Sequence, residues 1–154
     1  MFYSCDSLVE TPIDLNPSIA DNMYSNCTSL TEIKGLDKNT ITSANTIFSE
    51  CKKLKTITMN FSNLDSDSEN MFYYTTNLEN IEIVGEIKTN ILQTTYSSFG
   101  SYLTVESLLN ILNALEDRSN TTSKTLSWKT SFNNKLTSEQ LAIATNKNWI
   151  LSIS

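Results

Sequence analysis

An eight-residue phrase recurs along this chain: MFYSCDSL from Met1, MYSNCTSL from Met23, IFSECKKL from Ile47 and MFYYTTNL from Met71. The closing leucines are Leu8, Leu30, Leu54 and Leu78, a near-constant spacing from unit to unit. One further step of the same length lands on Tyr102 in TYSSFGSY, where Tyr96, Phe99 and Tyr102 take the places of Phe72, Thr75 and Leu78. Two more steps reach Leu126 in KTLSW and Ile150 in NWILS. A fixed short period constrains the fold strongly, because each unit must fit near-identical neighbours.

Each unit carries two local signals. After the leucine, LTEIKGL, LKTITMNF and LENIEIV alternate with period two, as strands with one buried face do. Ile57, Met59 and Phe61 fall on one side of the second run and Thr56, Thr58 and Asn60 on the other. Before the leucine, TSANTIFSEC and SDSENMFYYT predict a short helix capped by Ser43 or Ser66, with Ile47-Phe48 or Met71-Phe72 inward. Pro17 suits the start of the equivalent turn. One strand with one helical turn cannot bury its apolar side alone. Stacked copies form a continuous core between a parallel sheet and a second layer. The phrase repeats because every unit offers the same shape to the next.

The 154 residues suffice for one domain with a core. A net charge of −6 argues against a nucleic-acid surface. No apolar run is long enough to span a bilayer, so no membrane insertion is expected, and no signal peptide is visible behind Met1-Phe2. Histidine is absent, which removes the commonest general base and metal ligand. The three cysteines, Cys5, Cys27 and Cys51, occupy one position of the phrase, where Thr75 also stands. They read as small buried hydrophobes with free thiols. A disulfide needs Cα atoms within about 7 Å, closer than the roughly 8–10 Å of packed helical layers.

From Thr104 the pattern changes. TVESLLNILNALEDRS predicts a helix capped by Thr104, with Leu108, Leu109, Ile111, Leu112 and Leu115 at helical spacing. SKTLSW reads as a strand. KLTSEQLAIATNKNW reads as a helix with Thr137 at the N-cap and Leu141, Ile143 and Ala144 inward. WILSI is a last strand. These longer helices, with Trp128 and Trp149 read as core packing rather than an aromatic box, suit a closing unit.

The phrases MFYSCDSL, MYSNCTSL and IFSECKKL resemble the BspA-like leucine-rich repeats, whose units carry an MF-x-x-C-x-x-L phrase. The tail from LTVESLLNILNAL to KLTSEQLAIATNKNWILS resembles a closing module of such proteins in Gram-positive bacteria and their phages. The resemblance implies an α/β solenoid: a right-handed coil with a parallel sheet on one face, short helices on the other and a helical C-terminal cap. Residues 1–103 would form about five repeats, the first truncated, and 104–154 the cap within one continuous domain. It further implies a surface-exposed binding scaffold, cell-surface or virion in location, part of an adhesin or of a phage tail. No cofactor is expected.

Catalytic patterns are missing. No glycine-rich phosphate loop occurs, and without histidine there is no Ser-His-Asp triad. Asp65, Asp67 and Glu69 cluster without the EF-hand pattern, and Glu79, Glu82 and Glu86 lie near one strand. What remains is a surface. With Ile33, Ile57 and Ile81 inward, the outward strand positions form rows. The candidate ligand-binding residues are Glu32, Lys34, Thr56, Thr58, Asn60, Asn80 and Glu82, with Glu10 before them and Thr125 and Ser127 as their continuation. The expected partner is a protein or a glycan on a cell surface. An assembly role is the alternative, with another subunit docking on the uncapped edge at Met1, Phe2 and Leu8. An enzyme ranks last.

Overall fold

The computed structural model describes residues 1–12, 15, 17–38, 41–65, 68–93, 99 and 102–153. Three strands form where the period-two runs stand: β1 (Glu32–Leu36), β2 (Thr56–Asn60) and β3 (Asn80–Val84). They lie parallel in the order β1-β2-β3. Register follows the repeat: Glu32, Thr56 and Asn80 are partners, as are Ile33, Ile57 and Ile81. An isolated bridge between Glu10 and Glu32 carries the ladder into the first unit. β1 bulges between Ile33 and Leu36, and Gly35 supplies the positive φ of 78° there.

Opposite the sheet, the expected short helix at Ser43 does not form; the segment is a run of turns. Ser66, the other expected cap, lies outside the described residues. In the second unit Met23, Ser25 and Cys27 donate their N–H groups to Ala20, Asn22 and Tyr24 within the unit. The residues between them, Asn22, Tyr24 and Asn26, donate to Asn45, Ile47 and Ser49 of the next unit. Alternate residues therefore serve the unit and the stack, which an α-helix forbids because it spends every N–H on its own fourth neighbour. Asn22, Asn26, Thr46, Glu50, Asn70 and Tyr74 adopt positive φ in this ribbon. Side chains join the same scheme: Asp21 accepts from the Asn45 amide at 2.8 Å, and Asn45 accepts from the Glu69 amide at 2.9 Å.

The core lies between sheet and ribbon. Leu30, Leu54 and Leu78 are fully buried, with Ile33, Ile57 and Ile81 beside them. An aromatic column runs through it. Phe2, Tyr24, Phe48, Phe72 and Phe99 stack face to face with centroids 5.5, 6.2, 5.8 and 5.1 Å apart. Such pairs contribute about 0.5–1.5 kcal/mol each beyond burial. Phe99 therefore holds the position of Phe72, not that of Thr75. Tyr102 is exposed and Leu103 is buried, so the fifth copy is displaced from the register expected for it. Tyr96, expected at the Phe72 position, lies outside the described residues.

After this stack come α1 (Val105–Ala114), β4 (Lys124–Trp128), α2 (Thr130–Asn133), α3 (Ser138–Asn146) and β5 (Trp149–Ile153). Thr104 caps α1 by accepting from Ser107, and a Thr137–Gln140 capping box starts α3, as their sequences predict. α1 buries Leu108, Ile111 and Leu112. Trp128 and Trp149 are 1% exposed, in the core as expected. The short helix α2 was not expected; it places Phe132 edge-on to Phe99 at 6.1 Å, ending the column. Four lysines of this region donate to carbonyls of the preceding chain: Lys124 to Lys88, Lys129 to Phe99, Lys135 to Leu103, and Lys147 to Asn113 and Leu115.

Candidate functional site

The outward face of β1-β2-β3 brings the seven candidate residues onto one side. Strand alternation does this, since each is flanked by a buried residue: Ile33, Ile57, Met59 or Ile81. Glu32 and Lys34 pair at 2.8 Å, and this hydrogen bond and charge raise the Lys34 ammonium above its ordinary pKa. The Thr58 hydroxyl donates to Glu82 across the strands at 2.8 Å. Just ahead of β2 and β3, Lys55 and Glu79 form another ion pair at 3.0 Å. The face is thus a lattice of hydroxyl, ammonium and carboxylate groups in internal pairs exposed to solvent.

Two of the seven side chains support the backbone or the neighbouring helix cap. The Asn60 amide donates to the Asp37 carbonyl at 3.4 Å, and its oxygen accepts from the Ser62 N–H at 2.9 Å. Asn80 accepts from the Thr104 hydroxyl at 3.0 Å. The remaining five, Glu32, Lys34, Thr56, Thr58 and Glu82, are the solvent-facing part of this face. Strand alternation alone marked all seven as outward and carried no signal separating the two groups.

Thr125 and Ser127 do not extend this sheet. They belong to β4, which pairs with β5 in a separate two-stranded parallel sheet. The free edge of β3 is taken by α1 instead. Thr104 donates its N–H to the Glu79 carbonyl at 3.0 Å, and the Ser107 hydroxyl accepts from the Ile81 N–H at 2.9 Å. Ser107 is buried inside an apolar helix, and that misplaced hydroxyl is the signal sequence reasoning passed over. Ser127 meets Asn90, exchanging hydrogen bonds at 2.9 and 3.0 Å. Asn80, Glu82, Glu106 and Asn110 line a polar hollow where α1 meets β3, and Glu10, Thr11, Glu32 and Lys34 line another at the first unit.

The cysteines are free thiols. The Cys27 and Cys51 thiols donate to the carbonyls of Phe2 and Tyr24 in the unit before, at 2.9 and 3.0 Å. Burial pushes Cys51 up to about 12 and raises Cys27 and Tyr24 as well, so these groups stay neutral at physiological pH. Neutral thiols are poor nucleophiles and poor metal ligands. Among the described residues no group of three His, Cys, Asp or Glu side chains is placed to hold a metal ion. Of the expected acidic cluster, Asp67 lies outside the described residues. No helix among the described residues is long and apolar enough to cross a membrane.

Comparison with known proteins agrees with this geometry. The BspA type leucine rich repeat region matches residues 1–127, in six copies. No curated protein and no solved structure matches the chain. Leucine-rich repeats generally serve protein–protein binding, and such regions are typically non-catalytic. The in-register parallel strands, the recurring phrase and this match over most of the length place the chain in the BspA type leucine-rich repeat family.

Proposed function

We propose that this chain is a non-catalytic binding module that recognises a protein on a cell surface through the outward face of β1-β2-β3. The observation that carries this reading is the array formed by Glu32, Lys34, Thr56, Thr58 and Glu82, in which backbone pairing holds Glu32 beside Thr56 and Thr58 beside Glu82. Rigid strands present it, so little conformational entropy is lost on binding. We infer that the units wind as a right-handed solenoid. The parallel order β1-β2-β3 and the right-handed rule for parallel crossovers support this. In this reading residues 1–103 are repeats and 104–154 close the stack.

Host recognition or adhesion, on a phage tail or a Gram-positive surface, is the role we assign. Its test is retention on whole Gram-positive cells. Thr56→Ala, Thr58→Ala and Glu82→Ala together should cut retention at least tenfold with an unchanged melting temperature. Equal retention by the triple variant would show that this face is not the contact.

A second reading has its own observation. At the N-terminal edge Met1, Tyr3 and Val9 are 84%, 59% and 51% exposed, beside the half-buried Phe2 and Leu8. Apolar exposure of this kind marks contact surfaces. In this reading the chain is an assembly subunit docking through that edge. Light scattering of the chain with its assembly partner measures the complex, and Phe2→Glu should abolish it.

A further inference from the structure

The hollow at the corner of β3 and α1 is lined from two directions. Asn80 and Glu82 stand two apart on the outward side of β3, and Glu106 and Asn110 stand four apart on one side of α1. The buried Ile81 and Ser107 complete the lining. At about 220 Å³ the hollow is several times the roughly 30 Å³ share of one water, so it admits an amino-acid-sized group. Its polar groups are of both kinds and only partly used. The Thr58 hydroxyl donates to one oxygen of Glu82, which leaves the other. The ion pairs among the described residues are Lys34–Glu32, Lys52–Glu50, Lys55–Glu79 and Arg118–Glu116, so no cation of the chain neutralises Glu82 or Glu106 there. On the donor side, Ser107 is 1% exposed and accepts from the Ile81 N–H, while its own proton has no acceptor among the described residues. The Asn80 oxygen accepts from the Thr104 hydroxyl, which leaves the Asn80 NH2 group to donate. A buried hydroxyl proton without an acceptor is costly. The hollow therefore suits a group that brings an oxygen as well as a positive charge.

We propose that this hollow holds the N-terminal residue of the partner protein, with its α-ammonium group between Glu82 and Glu106 and its carbonyl oxygen on the Ser107 hydroxyl. The proposal deepens the reading of the adjoining sheet face as a protein contact and rests on it for the class of partner. Lysine and arginine side chains bring donors only and leave the Ser107 proton unmet. A free amino acid brings a carboxylate, which the two glutamates repel. The first residue of a chain brings the ammonium and a neutral carbonyl together.

The probe is alanyl-alanine amide, titrated into the isotope-labelled full chain. The readout is the backbone amide signals of Ile81, Glu82 and Ser107 and the side-chain NH2 signals of Asn80 and Asn110. The probe should shift them saturably. N-acetyl-alanyl-alanine amide, which lacks the charge, should bind at least fivefold more weakly. So should Nα-acetyl-lysine amide, whose ammonium stands away from its carbonyls, and glucosamine, whose ammonium stands beside hydroxyls. Glu82→Gln and Glu106→Gln should each weaken the dipeptide amide about fivefold at an unchanged melting temperature. Glu86→Gln, an equal loss of charge at an exposed site outside the hollow, should not. Equal binding by any of the three comparison compounds, normal binding by both glutamine variants, or no saturable shift would overturn the proposal. Glu106→Gln leaves the five face residues in place, so its retention on whole cells separates the two readings. Full retention by Glu106→Gln beside lost retention by the Thr56→Ala, Thr58→Ala double variant overturns the hollow and keeps the face. The reverse pair of results overturns the face and keeps the hollow.

Discussion

At Cys27 and Cys51 a thiol does what water or a larger side chain cannot: it fills a small site and donates to the carbonyl of the unit before. Thr75 holds the same place in the fourth unit, and its buried hydroxyl finds no hydrogen-bond partner. An unsatisfied buried hydroxyl costs about 1–3 kcal/mol. Thr75→Cys should therefore raise stability by about 1 kcal/mol in urea unfolding, a gain that Thr75→Ser should not give. The cysteines also set a pH dependence. Their folded pKa values, and that of Tyr24, lie above the unfolded ones because burial penalises the charged forms. The folded state keeps these protons longer, so its stability is complete below about pH 9 and falls as pH rises towards about 12. Unfolding midpoints between pH 8 and pH 11 should fall, and Cys51→Ala should flatten the slope. Asn60 belongs to the same scale. Its two backbone hydrogen bonds mean that Asn60→Ala should cost about 1–2 kcal/mol, whereas Thr56→Ala should be nearly neutral; equal costs for the two would contradict the division drawn on the sheet face.

Among the elements, the aromatic column and the β3 edge show most plainly how units hold together. Phe48 stacks between Tyr24 and Phe72 and is fully buried. Phe48→Ala should cost about 3–5 kcal/mol by loss of burial and the cavity left behind, measured by chemical unfolding. Gly85 ends β3 with φ +74°, and a Cβ there would lie 1.8 Å from the Ser62 hydroxyl oxygen, which accepts from Glu86. Gly85→Ala should destabilise by at least about 1 kcal/mol through strain and loss of that bond. The strands were legible in the sequence because one-face burial writes a period of two, as Ile57, Met59 and Phe61 show. The helix caps at Thr104 and Thr137 were legible because capping is local chemistry. The ribbon was not. Its turns satisfy half their N–H groups in neighbouring units, and single-segment patterns carry no record of a partner one full repeat away. The end of the sheet was hidden for a related reason: Ser107 reads as an ordinary helix residue until β3 is beside it.

At the scale of the whole molecule, stability and the proposed function draw on the same device. Each unit completes the hydrogen bonds, the aromatic stack and the apolar cover of its neighbour, and the repeated strands line up the polar residues of one open face. The five open candidate residues were legible as outward positions but not as distinct from Asn60 and Asn80, whose structural roles depend on Asp37, Ser62 and Thr104. The fifth unit was legible only in part, because Phe99 follows Phe72 by more than one repeat length and breaks the period that reveals the others. The most direct measurement is of backbone nuclear Overhauser contacts between strands in solution. Parallel, in-register stacking requires amide-to-Hα contacts linking the stretches around Thr56 and Asn80 and around Ile57 and Ile81, one repeat apart. Close Hα–Hα contacts of the antiparallel kind, or no contacts between those stretches, would contradict the stacked arrangement on which the proposed binding face depends.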